Sequence, residues 1–140
     1  MRRYEEWLRR DEAASVTEHD DQVALFAWAA LAANIDPRLE MLVAIPNGGH
    51  RHKAVAARMK AEGLKAGFPD MVLFVPVGEW HGLAIELKYG KNKPTKAQLE
   101  WLAALEMQGY KAIWCYGFMD AVTTIEDYLG ADDYADGCLE

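Results

Sequence analysis

Asp70, Glu86 and Lys88 are the residues whose types and spacing could do chemistry together. Met71 to Pro76 is an apolar run, and Leu83 to Tyr89 alternates apolar and polar residues; the turn-like stretch Val77 to Gly82, with two glycines, lies between them. This pattern predicts two antiparallel strands joined by a hairpin. Residues two apart on a strand share a face. A hairpin centred near Gly78 therefore sets Asp70 opposite Glu86, with Lys88 next along the same face. The other face, Met71, Leu73 and Val75 against Leu83, Ile85 and Leu87, is apolar and suited to packing on helices. Two carboxylates can hold a hard divalent cation such as Mg²⁺, which takes few protein ligands and keeps several waters. The backbone carbonyl of Leu87 could add a ligand. Lys88 could orient or deprotonate a water, or stabilise charge on phosphorus. A cation placed there would polarise a phosphate and activate water, so phosphodiester hydrolysis is the chemistry that suits the set. The bland alternative is an exposed Asp at a strand start beside an ordinary Glu/Lys pair. Convergence of three groups favours the site.

Two further polar residues carry double readings. Glu18 could bring another carboxylate from the first helix, but it also closes a Ser15-Val16-Thr17-Glu18 capping box. Gln98 closes a second box begun by Thr95, and from the start of that helix its amide could reach Lys88 or a phosphate. The histidines show no zinc spacing with cysteine. Asn47, Gly48 and Gly49 read as a turn whose backbone N–H groups, with His50, Arg51 and Lys53 after it, would suit phosphate contact. Lys91 and Lys93 lie in a lysine-rich loop directly after Lys88.

The elements that must hold these groups follow from periodicity. A helix is expected up to about Ala33, with Val23, Phe26, Ala27, Ala30 and Leu31 as its apolar positions. Leu39 to Pro46 reads as a strand, and Arg51 to Glu62 as a helix stopped by Gly63. After the hairpin, a helix to about Gln108 presents Leu99, Leu102, Ala103, Leu105 and Glu106. Tyr110 to Tyr116 reads as a buried strand, and Gly117 to Tyr128 as a last helix. A helix between the strands at 83–89 and 110–116 implies a parallel pair. The fold expected is α/β: a mixed β-sheet with an αβββαβ core, flanked by helices. Residues 1–14 read as a helical extension, 15–129 as the domain, and 130–140 as a frayed acidic tail.

Composition narrows the class. The 140-residue chain has net charge −7, which taken whole argues against nucleic acid. The acids, however, concentrate at the ends. Residues 50–67 hold five basic residues against Glu62 alone, and residues 88–96 hold Lys88, Lys91, Lys93 and Lys96 with no acid. Local field matters more than total charge for a phosphate ligand. The longest apolar run, Val23 to Ala33, is well short of the roughly 20 residues that span a bilayer. No membrane partner is expected, and an intracellular, cytoplasmic protein is, whether of a cell or of a virus in its host. Cys115 and Cys138 make no disulfide framework; Cys115, within an apolar run, is expected to be buried. Trp28, Trp101 and Trp114 are expected in the core.

Gly67-x-Pro69-Asp70, Glu86-x-Lys88 and Gln98 together resemble the PD-(D/E)xK nucleases and their restriction-endonuclease-like fold. With Pro46-Asn47-Gly48-Gly49 ahead of them, and Glu18 and Gln22 opening the first helix, the chain more narrowly resembles the VRR-NUC (virus-type replication-repair nuclease) group, over about residues 15–129. The resemblance implies Mg²⁺- or Mn²⁺-dependent DNA cleavage, with Asp70, Glu86 and Lys88 as the catalytic set, Gln98 supporting and Glu18 as an added acid. It also implies a homodimer acting on branched or junction-like DNA, as junction resolvases do. Two readings from other classes remain: a nucleic-acid-binding module that does not cleave, and a structural partner in a viral replication or packaging complex.

Overall fold

The computed structural model describes residues 18–46 and 53–137, with side chains described as far as residue 130. The elements run α1 (Glu18–Ala32), a 3-10 turn (Pro37–Met41), β1 (Leu42–Ala44), α2 (Lys53–Ala61), β2 (Met71–Leu73), β3 (Leu83–Lys88), α3 (Lys96–Met107), β4 (Lys111–Tyr116) and α4 (Gly117–Gly137). The four strands form one sheet in the order β1-β2-β3-β4. β1/β2 and β2/β3 are antiparallel, and β3/β4 is parallel. This is the mixed α/β architecture expected.

The sheet has two differently built faces. Met71, Leu73, Leu83, Ile85 and Leu87 project into the main core, against Leu25 and Ala29 of α1 and Phe118, Ala121, Val122 and Ile125 of α4. Tyr128 closes its lower end, its hydroxyl donating to the Val75 carbonyl at 2.6 Å. The opposite face carries Val72, Ala84, Glu86 and Lys88, all buried, and α3 packs over β3 and β4 there.

Several boundaries differ from the sequence reading. The strand expected from Leu39 begins only at Leu42. Asp36 caps a 3-10 turn opened by Pro37, its carboxylate accepting from the Arg38 backbone at 3.2 Å and side chain at 2.8 Å, and this holds 37–41 out of the sheet. β2 stops at Leu73 instead of Pro76; a tight bridge between Val77 and Trp80 with Gly78 at φ +57° forms the hairpin tip. The last helix passes Tyr128 and continues to Gly137. Gly130 does not end it, and the acidic stretch expected to fray is helical as far as 137. The N-terminal extension and the Ser15 end of the first capping box lie outside the described residues.

Two helices turn a different side inward. In α1 the buried positions are Asp21, Leu25 and Ala29, while Val23 and Leu31 are 56% and 61% exposed. The run VALFAWAALA is apolar all round, so its periodicity selects no face. In α3, Leu102 is buried and Gln98, Trp101 and Leu105 are half-buried, whereas Leu99, Ala103 and Glu106 are exposed. Trp28 is half-buried at the margin of the core, and Trp114, half-buried too, stands outside it, edge-on to Tyr116 at 4.9 Å. Cys115 is buried, as expected, 3.4 Å from the Thr124 hydroxyl, and burial raises its thiol pKa to about 11. Such a thiol is inert at neutral pH.

Candidate active site

The hairpin register brings the acids together. Met71 pairs with Ile85, so the next step of the ladder sets Asp70 against Glu86. The Ile45 N–H donates to the Asp70 carbonyl at 2.7 Å, extending the β1/β2 edge by one residue. Asp70 Oδ2 accepts the Leu87 N–H at 2.7 Å. The side chain is thus tied to the strand that carries Glu86, which fixes its orientation. Glu18 opens α1 three residues before Asp21, on the stripe that Leu25 and Ala29 continue into the core. One carboxylate oxygen each from Glu18, Asp70 and Glu86 lies within 4.8 Å of the others.

Glu86 is 2% exposed and Lys88 8%. Lys88 Nζ lies 3.3 Å from Glu86 Oε1, and Gln98 Nε2 donates to the same oxygen at 2.9 Å. Glu86 Oε2 is buried with no hydrogen-bond partner. An orphaned buried carboxylate oxygen is costly. A cation among the three acids would satisfy it, so the donor set fits a hard divalent metal.

The electrostatics agree. Burial and then Asp70 push the Glu86 carboxyl up to about 7, against the opposing pull of Lys88. Burial raises Asp70 above its ordinary range, opposed by the Leu87 N–H and Lys88. Burial, then Asp70, also raises Glu18. Three crowded acids with one ammonium carry more negative charge than the pocket can hold unaided.

Gln98 plays two parts. Its Oε1 accepts from the Thr95 N–H at 2.9 Å while the Gln98 N–H donates to Thr95 Oγ1 at 3.2 Å, completing the capping box. Its amide nitrogen reaches Glu86, where the sequence suggested Lys88 or a phosphate. Lys91 and Lys93 are exposed in the turn after Lys88, and Lys53 is exposed at the start of α2. Asn47, Gly48, Gly49, His50 and Arg51 lie outside the described residues.

The sequence reading missed how the Gly67-x-Pro69-Asp70 loop is anchored. Trp101 Nε1 donates to the Ala66 carbonyl at 3.0 Å, and Phe68 meets the Trp101 ring edge-on at 5.2 Å. Gly67 has φ +82°, and a Cβ there would come within 3.1 Å of Ala97 Cβ and 3.3 Å of the Gln98 nitrogen. The loop is therefore pressed onto the first turns of α3, and the two elements carry Asp70 and Gln98. Trp101 stands three residues after Gln98, on the same helix face, and that spacing was the available signal. Asp21, buried one turn after Glu18, was also missed. It lies close to Gly117 and adds to the charge felt by Glu18.

An αβββαβ core, with α2 inserted between its first two strands, and acids and a lysine converging at one end of its mixed sheet define the restriction-endonuclease-like class. The sequence profile of the VRR-NUC domain matches residues 5–119, and the chain belongs to that family, which implies a nuclease. A solved structure described as a VRR_NUC domain protein is similar, with 28% sequence identity and a TM-score of 0.72, over 84% of this chain and 92% of that one. No curated protein matches the chain. Among the described residues, no helix is long and apolar enough to cross a membrane.

Proposed function

We propose that the protein is a metal-dependent DNA endonuclease that hydrolyses phosphodiester bonds in branched or junction DNA. The observation that carries this reading is the convergence of Glu18, Asp70 and Glu86 within 4.8 Å, with Lys88 Nζ 3.3 Å from Glu86. Glu18, Asp70 and Glu86, with the Leu87 carbonyl, would hold Mg²⁺ or Mn²⁺. The ion would supply Lewis-acid polarisation of the phosphate and a lowered pKa for water. Asp70, fixed by the Leu87 N–H, keeps the acids in register. Lys88 offers an ammonium at the centre, placed to orient the nucleophile or to offset charge developing on the phosphate oxygens. Gln98 holds Glu86 Oε1, which leaves Oε2 without a hydrogen-bond partner and open to a cation. Lys53, Lys91 and Lys93, with Asn47, Gly48, Gly49, His50 and Arg51, would bind flanking phosphates.

The resemblance to junction resolvases supports branched DNA as substrate and a homodimer in which two centres cut two strands. The test is cleavage of labelled four-way junction, flap and linear duplex DNA with Mg²⁺ or Mn²⁺. Faster cutting of the branched substrates, abolished by Lys88→Ala, is expected. Equal rates for wild type and Lys88→Ala would refute the mechanism, and equal rates on linear duplex would refute the structural preference. Light scattering at micromolar concentration should return the mass of a dimer; a strict monomer would remove the two-centre reading.

A further inference from the structure

We propose that α2 is a docking element for the sugar–phosphate backbone of duplex DNA, acting through Lys53 and Lys60; this rests on the nuclease reading above. α2 has nine residues, Lys53–Ala61, and none is buried. All are exposed except Met59, which is half-buried. Helices shorter than about 12–15 residues are marginal in water unless an apolar face packs. α2 packs no such face, so its surface is available to something outside the fold.

Charge identifies the occupant. Residues 53–65 carry Lys53, Arg58, Lys60 and Lys65 against Glu62. Arg58 and Glu62 satisfy each other, with Nε 3.2 Å from Oε1. Among the described residues, no acid pairs with Lys53 or Lys60. These two lysines are seven residues apart and share a helix face, roughly 10 Å apart along the axis. Ala56 and Ala57 stand between them on that face. Their short side chains let a flat or convex surface approach closely. A duplex carries one negative charge per ~1.7 Å of axis, so such a span faces several phosphates. A single small phosphate ligand would need convergent donors, and a lipid surface would need apolar residues on this face. Neither condition is met, whereas an extended polyanion needs only this spacing.

Position links α2 to the active site. The Leu64 N–H turns back to the Met59 carbonyl at 2.9 Å, and the Phe68 N–H to that of Lys65 at 3.3 Å. The chain from α2 to Asp70 is therefore folded short, and it ends in the loop that Trp101 anchors. Lys60 stands ten residues before Asp70, so a short folded connection joins α2 to the loop that carries this acid.

The experiment is fluorescence anisotropy of a labelled duplex with the full chain in chelator, where no cutting occurs, across a salt series. Lys53→Gln/Lys60→Gln should weaken binding and flatten the slope of log Kobs against log salt by about 1.8, or about 0.9 for each phosphate no longer neutralised. Arg58→Gln/Glu62→Gln should leave the slope as in wild type. Both lysines are exposed, so the double variant should keep the wild-type circular dichroism and melting temperature. An unchanged slope in a folded double variant that still binds DNA would overturn the assignment of α2 and leave the nuclease reading intact. Failure of the wild type to bind DNA at any salt would overturn both.

Discussion

The elevated Glu86 carboxyl makes metal binding a proton-releasing event in the neutral range. Its pKa is pushed up to about 7 by burial and by Asp70. An ion can use Glu86 only as a carboxylate, so binding below that pH must expel the proton. One pH unit below the pKa, about 0.9 proton should leave per ion bound; at pH 8 the figure should be about 0.1. Through Glu86 alone, affinity for Mn²⁺ should fall roughly fivefold from pH 7 to pH 6 and should level off above pH 8; Asp70 and Glu18, both raised, act in the same direction. Isothermal calorimetry at pH 6 in two buffers of different ionisation enthalpy measures the released proton directly. The same shift sets the stability of the metal-free protein. A carboxyl with a raised folded pKa stabilises most where it is protonated, below its unfolded value of about 4.5. That stability is lost as pH rises through about 7. The whole contribution is at most about 3 kcal/mol. Metal-free protein should therefore melt lower at pH 8 than at pH 5, and Mn²⁺ should restore it at pH 8. Tight ion binding at pH 6 with no proton released would refute this reasoning.

Three further perturbations test the support around the acids. Gly67→Ala meets both a positive φ and the Ala97/Gln98 contact, and should cost about 1–3 kcal/mol in denaturant unfolding; a neutral result would show that the loop has room to shift. Trp101→Phe keeps the ring but loses the bond to Ala66, and should lower stability by about 1 kcal/mol and cleavage by more than stability predicts. Gln98→Glu puts a fourth carboxylate 2.9 Å from Glu86 Oε1; it should raise the midpoint of the pH dependence of metal affinity, whereas Gln98→Ala should mainly weaken the cap, seen as a lower melting temperature.

The placement of the acids is legible in the sequence because hairpin arithmetic is rigid. Two glycines and two runs of known parity leave one register, and that register sets Asp70 against Glu86. Side-chain period two then carries Lys88 to the same face. The parallel β3/β4 pair follows from the helix between them. The face of α1 is not legible, since its apolar residues surround the axis and tertiary packing alone decides that Asp21, Leu25 and Ala29 turn inward. Leu39 to Met41 resembles strand because local composition hides the Asp36–Pro37 start of a 3-10 turn. Gln98 stands out by type and position, yet its target does not, because a cap residue has only one free end and several acceptors within reach. Trp101 reads as core filler by composition alone; an indole N–H that needs an acceptor when half-buried is the feature that points to a role in holding a loop.

Crystals soaked in Mn²⁺ and measured for anomalous scattering offer the most direct test of the metal centre. A peak is predicted at coordination distance from Glu18, Asp70 and Glu86, absent in Asp70→Asn, which should also fail to cleave DNA. A wild-type protein that cuts DNA in Mn²⁺ while those three carboxylates show no ion would contradict the assignment.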